Sequence, residues 1–135
     1  MTKLIKFVTG LMFLSAGSAF AGHAECYKAG VIDSDWQKET IARVCETSGT
    51  VFPSCYDKAL RETDWSKGSA IQVCATAKDG MEDCLQLAQK ETDWSRGAMI
   101  QVCAPATSDF KACYSETKNE HPDWTIGGVI QHCAK

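Results

Sequence analysis

The residues most capable of chemistry in this chain are its eight cysteines, Cys26, Cys45, Cys55, Cys74, Cys84, Cys103, Cys113 and Cys133. A thiol serves as a redox centre, a metal ligand or a covalent fastener, and spacing separates the three. A dithiol redox centre is normally built on a C-x-x-C pair, and local zinc sites use similarly close pairs. The gaps here are 19, 10, 19, 10, 19, 10 and 20 residues, so no such pair exists. His23, His121 and His132 do not recur with the cysteines, so no metal site or cofactor is expected. An even set of cysteines in an exported chain is a disulfide framework.

The same gaps define an internal repeat of 29 residues. Trp36, Trp65, Trp94 and Trp124 follow it independently, each nine residues before the second cysteine of its unit, and each preceded by an aspartate, Asp35, Asp64, Asp93 and Asp123. Residues 62–75 and 91–104 differ at only three of fourteen positions. Two marker residue types agreeing over four copies point to tandem units at about 22–48, 49–77, 78–106 and 107–135. The repeat reduces the sensible disulfide schemes to two. Within-unit pairing joins Cys26 to Cys45, Cys55 to Cys74, Cys84 to Cys103 and Cys113 to Cys133, whereas pairing across the linkers strands Cys26 and Cys133. The within-unit scheme is preferred, and each closed loop is then worth on the order of 3 kcal/mol in the chain-entropy model.

Export is itself an expectation. Lys3 and Lys6 precede an uncharged apolar stretch at residues 7–20, which ends in the small-x-Ala pattern of Ala19, Phe20 and Ala21. That is a secretory signal over residues 1–21, placing the protein in the periplasm or outside the cell. The stretch is too short for a spanning helix, so membrane insertion is not expected. Without Lys3 and Lys6 the remainder carries 12 basic against 17 acidic residues, a net charge of −5. Nucleic acid is therefore a poor partner.

The elements that position these residues are helical. Phe52, Cys55, Tyr56 and Ala59, and likewise Met81, Cys84, Leu85 and Ala88, fall on one face at 3.6-residue periodicity. Asp79 with Glu82 suggests a capping box, Thr50 or Ser108 caps the equivalent helices, and Pro53 falls in a first turn. A second helix is expected to open at Thr63 or Asp64, and at Thr92 or Asp93, and to run to the second cysteine. Its core stripe holds Ala70, Ile71, Val73 and Cys74 in one unit and Met99, Ile100, Val102 and Cys103 in the next. The fold class is all-α: four tandem disulfide-clipped helical-hairpin repeats in a short solenoid or compact helical stack. The outer units depart from the middle ones, with Glu39 and Arg43 where those have Gly and Gln, and with an extra residue near His121 and Pro122. Both departures suit end caps.

A second stripe joins each tryptophan to small residues and an amide: Gly68, Ser69 and Gln72, then Gly97, Ala98 and Gln101, then Gly127, Gly128 and Gln131. Trp36, Trp65, Trp94 and Trp124 with Gln72, Gln101 and Gln131 form a candidate binding stripe. Packing of the rings at the junctions between units is the plainer explanation, and a platform for sugar rings or a partner protein is the functional one. Lys38, Lys67 and Arg96, two past their tryptophans, make a solvated face. No serine, histidine and acid set can be assembled, and no phosphate-binding glycine motif occurs. The plan is similar to the twin C-x9-C helical-hairpin proteins in one gap length, but Gly49, Pro53 and Pro105 lie in or beside that gap here and no function is carried over. A non-catalytic protein-binding module is the expected function, acting as an inhibitor, adaptor or immunity-type protein. A carbohydrate or cell-wall binding module is the alternative.

Overall fold

The computed structural model describes residues 18–135. The expected leader lies outside the described residues except for its last four positions, which open the first helix. Eight helices follow one another, with no strand among the described residues: α1 (Ser18–Asp33), α2 (Lys38–Cys45), α3 (Phe52–Glu62), α4 (Lys67–Cys74), α5 (Met81–Glu91), α6 (Arg96–Cys103), α7 (Phe110–Glu120) and α8 (Ile126–Cys133). A disulfide clips each consecutive pair, joining Cys26 to Cys45, Cys55 to Cys74, Cys84 to Cys103 and Cys113 to Cys133. Their Cα atoms lie 5.6, 5.5, 5.4 and 5.7 Å apart, within the ordinary range for a bridge. None of the cysteines is free.

The helix ends are set by hydroxyls. Ser34, Thr63 and Thr92, at equivalent places, donate back to the carbonyls of Gly30, Ala59 and Ala88 at 2.6, 2.7 and 2.6 Å. These bonds satisfy carbonyls that a helix end leaves open. The same hydroxyl oxygens accept the backbone N–H of Trp36, Trp65 and Trp94, so one side chain both closes the helix and fixes the tryptophan's backbone. Thr63 and Thr92 therefore serve the end of the preceding helix, and Asp64 and Asp93 are not caps either. The N-caps of α4, α6 and α8 are Ser66, Ser95 and Thr125, which accept from the amides of Ser69, Ala98 and Gly128. Expected caps at Thr50, Asp79 and Ser108 are also displaced. Val51, Gly80 and Asp109 hold those positions without side-chain cap bonds. There the linker backbone has already turned, and the carbonyls of Gly49, Lys78 and Thr107 accept from Phe52, Met81 and Phe110. Pro53 sits in the first turn of α3, where a missing N–H costs nothing.

The core runs along the stack through the four bridges and through the fully enclosed side chains of Ile41, Phe52, Ile71, Ile100, Phe110 and Ile130. Helix α1 packs on α2, α3 and α4; α3 packs on α4 and α6; α5 packs on α6, α7 and α8. Each clipped pair therefore leans on the next, and short helices that are marginal alone gain their packing from neighbours. The linkers also meet. Lys78 and Gly80 donate their amides to Ala104 and Ala106 at 2.8 and 2.9 Å. A Cβ on Gly80 would stand 1.8 Å from the carbonyl of Thr107, so only glycine permits this approach. No described helix is long and apolar enough to cross a membrane.

Candidate functional site

Each tryptophan precedes its second helix and lies outside it. The indole reaches across to the following pair. A Cβ built on Gly68 would lie 3.2 Å from Cζ2 of Trp36, one on Gly97 3.2 Å from Cζ2 of Trp65, and one on Gly127 2.9 Å from Cζ2 of Trp94. The glycine of one unit is thus the seat of the preceding unit's tryptophan. The rings thus fill the junctions between units, as the packing explanation expects, but each meets the glycine of the following helix and not the one three residues on in its own. A signal was present: Trp36 occurs in the first unit, where Glu39 stands in place of glycine, so glycine begins one unit after tryptophan does.

Three tryptophans are half-buried in these junctions, and Trp124, in the fourth unit, is 41% exposed. It is held by its own unit instead. Its ring stacks on His121 at 4.4 Å between centroids and meets His132 edge-on at 5.5 Å. The inserted Pro122 breaks the hydroxyl arrangement of the other units, and the Trp124 amide donates to the His121 carbonyl instead.

Ion pairs follow the same step from unit to unit. Lys67 Nζ lies 2.9 Å from Asp33, and Arg96 Nε lies 3.2 Å from Glu62. The second contact is a charge pair without hydrogen-bond alignment at Glu62 Oε2, which is buried. Two of the three cations that lined up in sequence are therefore engaged by the preceding unit. In the first junction Asp33 also accepts from the Tyr56 hydroxyl at 2.8 Å. The hydrogen bond from Lys67, then that from Tyr56, holds the Asp33 carboxyl below its ordinary range. Burial, followed by the bond to Asp33, pushes the Tyr56 phenol well above its own. This is a structural clasp between neighbouring units.

Beside the second junction an open cleft of about 720 Å³ is lined by Asp64, Trp65, Ser95, Arg96 and Gln101 among others. Gln72, Gln101 and Gln131 are exposed, as are Asp35, Asp64, Asp93 and Asp123. None of these side chains belongs to an ion pair or side-chain hydrogen bond among the described residues. The structure thus brings each glutamine's unit up to the preceding tryptophan and leaves the amide free.

A separate, apolar groove lies between α1 and α3, with Ile32, Leu60, Phe52 and Tyr56 on its walls and Glu25, Lys28 and Asp57 at its rim. Ile32 is 67% exposed and Leu60 37%. The equivalent groove between α5 and α7 is lined by Leu87, Phe110 and Tyr114, with Asp83, Lys90 and Lys111 around it. Sequence reading missed these grooves, because the face that leaves Ile32 and Leu60 uncovered is decided by how α1 and α3 pack. Among the described residues no three histidine, cysteine or acidic side chains converge as a metal site. No protein-family model matches this chain, and no curated protein or solved structure is significantly similar to it.

Proposed function

We propose that this protein is an exported, non-catalytic protein-binding module, in which the clipped helical stack serves as a rigid surface for an inhibitor, adaptor or immunity-type role. The observation that carries this reading is the α1/α3 groove. Ile32 and Leu60 present large aliphatic side chains to solvent beside Phe52 and Tyr56, with charges of both signs at the rim. An apolar patch with a polar border is the common form of a protein-binding site. Four disulfides favour an oxidising compartment, periplasmic or extracellular. The repeat register supports removal of the leader as well: Gly22 is the counterpart of Val51, Gly80 and Asp109, the N-caps of α3, α5 and α7. Cleavage after Ala21 would leave a chain beginning where every other unit's first helix is capped.

The test is site-specific photo-crosslinking in the producing cell, with benzoylphenylalanine in place of Ile32 or Leu87 and an exposed Lys135 control. One protein captured from both grooves and absent from the control supports the reading. A folded, exported protein that yields no protein adduct at either groove overturns it.

A second reading, a carbohydrate or cell-wall module, is favoured by the polar cleft beside Trp65 and Gln101. Sedimentation with peptidoglycan, lost on Gln101→Ala, would establish that reading in place of the first.

A further inference from the structure

Four residues past the first cysteine of each unit stand Gly30, Ala59, Ala88 and Thr117. The first three offer no polar side chain to their bridges. Thr117 is only 7% exposed, and its hydroxyl lies 3.7 Å from Cys113 Sγ and 3.6 Å from Cys133 Sγ. Those two sulfurs are its hydrogen-bond partners among the described residues. A disulfide sulfur is a weak acceptor, so a buried hydroxyl is committed to poor bonds at a place where alanine suffices in the two preceding units. A thiolate is a strong acceptor, because it carries the charge. The hydroxyl therefore matches the opened bridge better than the closed one. Access singles out the same bridge. Cys26, Cys45, Cys55, Cys74, Cys84 and Cys103 are each at most 1% exposed, whereas Cys113 is only partly buried.

We infer that the Cys113–Cys133 bridge is a thiol-exchange site that oxidises a dithiol, with the Thr117 hydroxyl stabilising the sulfur that departs. The two cysteines stand 20 residues apart and not in a C-x-x-C pair, so selection rests on access and on the hydroxyl. One thiol of the dithiol, as its thiolate, attacks Cys113 Sγ, the more open of the two sulfurs. A sulfur–sulfur bond forms to Cys113, the bond to Cys133 breaks, and the electron pair leaves on Cys133 Sγ. Thr117 donates its hydroxyl hydrogen bond to that thiolate, and a leaving thiolate stabilised in this way departs faster. The second thiol of the same dithiol then attacks its partner's sulfur in the mixed disulfide and releases Cys113. The dithiol ends as a disulfide, Cys113 and Cys133 end as two thiols, and the two protons pass from the first pair to the second. One dithiol is consumed per chain, so the step changes the state of the protein without turnover. It leaves α7 and α8 joined by packing alone, while the other three pairs stay clipped.

The test is timed reduction of the folded, four-bridge protein, quenched with acid, alkylated and mapped by peptide mass spectrometry. Dithiothreitol and reduced thioredoxin are used in parallel, as a small and a protein dithiol. The first product expected carries alkyl groups on Cys113 and Cys133 only; formation with both reagents makes a small dithiol sufficient, and formation with thioredoxin alone places the source in a protein. Glutathione, a monothiol, should stop at the mixed disulfide on Cys113, with Cys133 alkylated. Thr117→Val keeps the shape and removes the hydroxyl, and should slow opening roughly ten-fold. Thr117→Ser keeps the hydroxyl and should retain most of the rate. Circular dichroism checks folding, and if the valine variant is unfolded, Thr117→Ala, the residue of the second and third units, replaces it. Another bridge opening first, all four opening together, glutathione caught on Cys133, or a rate indifferent to loss of the hydroxyl overturns the inference. None of these outcomes bears on crosslinking at Ile32 and Leu87, so the protein-binding reading stands or falls separately.

Discussion

Trp65 stands over Gly97 of the following helix pair, so close that a Cβ at that glycine would come within 3.2 Å of the indole. Substituting Gly97→Ala improves helix propensity but forces the ring outward, and overpacking of this kind costs about 1–3 kcal/mol. The balance is a net loss of stability. It should be larger for Gly127→Ala, where the approach is 2.9 Å. Urea unfolding followed by circular dichroism checks the order, with Gly127→Ala below Gly97→Ala and both below the parent. The converse change in the first unit, Glu39→Gly, touches no ring and should cost no more than about 1 kcal/mol, the propensity difference alone.

The clasp of Asp33 with Lys67 and Tyr56 makes stability depend on pH. A carboxyl whose folded pKa is lowered contributes fully above its unfolded value, near 3.9, and loses that contribution as pH falls through the folded value. Asp33→Asn should therefore destabilise the protein by about 1–2 kcal/mol at neutral pH. The two proteins should converge at the acid end, a convergence that thermal melts at a series of pH values would detect. The Tyr56 phenol works from the opposite side. Its raised folded value means that stability is whole below the unfolded value of about 10 and declines as pH rises toward the folded one.

The bridges differ in access. Cys26, Cys45, Cys55, Cys74, Cys84 and Cys103 are each at most 1% exposed, whereas Cys113 is only partly buried and Cys133 is 7% exposed. Thiol exchange needs an attacking thiolate at a sulfur. Under limiting reductant, alkylation followed by peptide mass spectrometry should label Cys113 and Cys133 before any other cysteine. Simultaneous labelling of all eight would mean that reduction proceeds only through global unfolding.

Trp124 should dominate the quenchable fluorescence. It is the most exposed of the four rings, and the other three are seated on glycines. Acrylamide titration is expected to resolve an accessible component that disappears in Trp124→Phe, leaving a bluer emission from the three junction tryptophans.

Much of the architecture was legible because it is written locally. Phe52, Cys55 and Ala59 share a helical face whatever the rest of the chain does, and a 19-residue gap between cysteines across a turn brings the two ends of a hairpin together. Caps were less legible, since Thr63, Asp64 and Ser66 can all accept a backbone amide. The choice fell to Ser66 because Thr63 was already bonded to the Ala59 carbonyl. Junction packing of the tryptophans was legible, but the particular glycine each ring meets was not. In a perfect repeat, a partner three residues onward and one thirty-two residues onward recur equally often. Only the mismatch between Trp36 and Glu39 distinguishes them. The exposed groove at Ile32 and Leu60 was hidden because burial there is a property of two packed helices.

The contact of Trp36, Trp65 and Trp94 with the following unit's glycine also gives the stack a direction. The unit of Trp36 carries Glu39 where the others carry a glycine seat, and the ring of Trp124 stacks on His121 and His132 of its own unit. A further 29-residue segment spliced in phase between two existing units would find both complements waiting. Placed at either end, it would meet Glu39 or the self-stacked Trp124. Such a protein lengthens from within, and its span can be reset by duplication without redesigning either terminus.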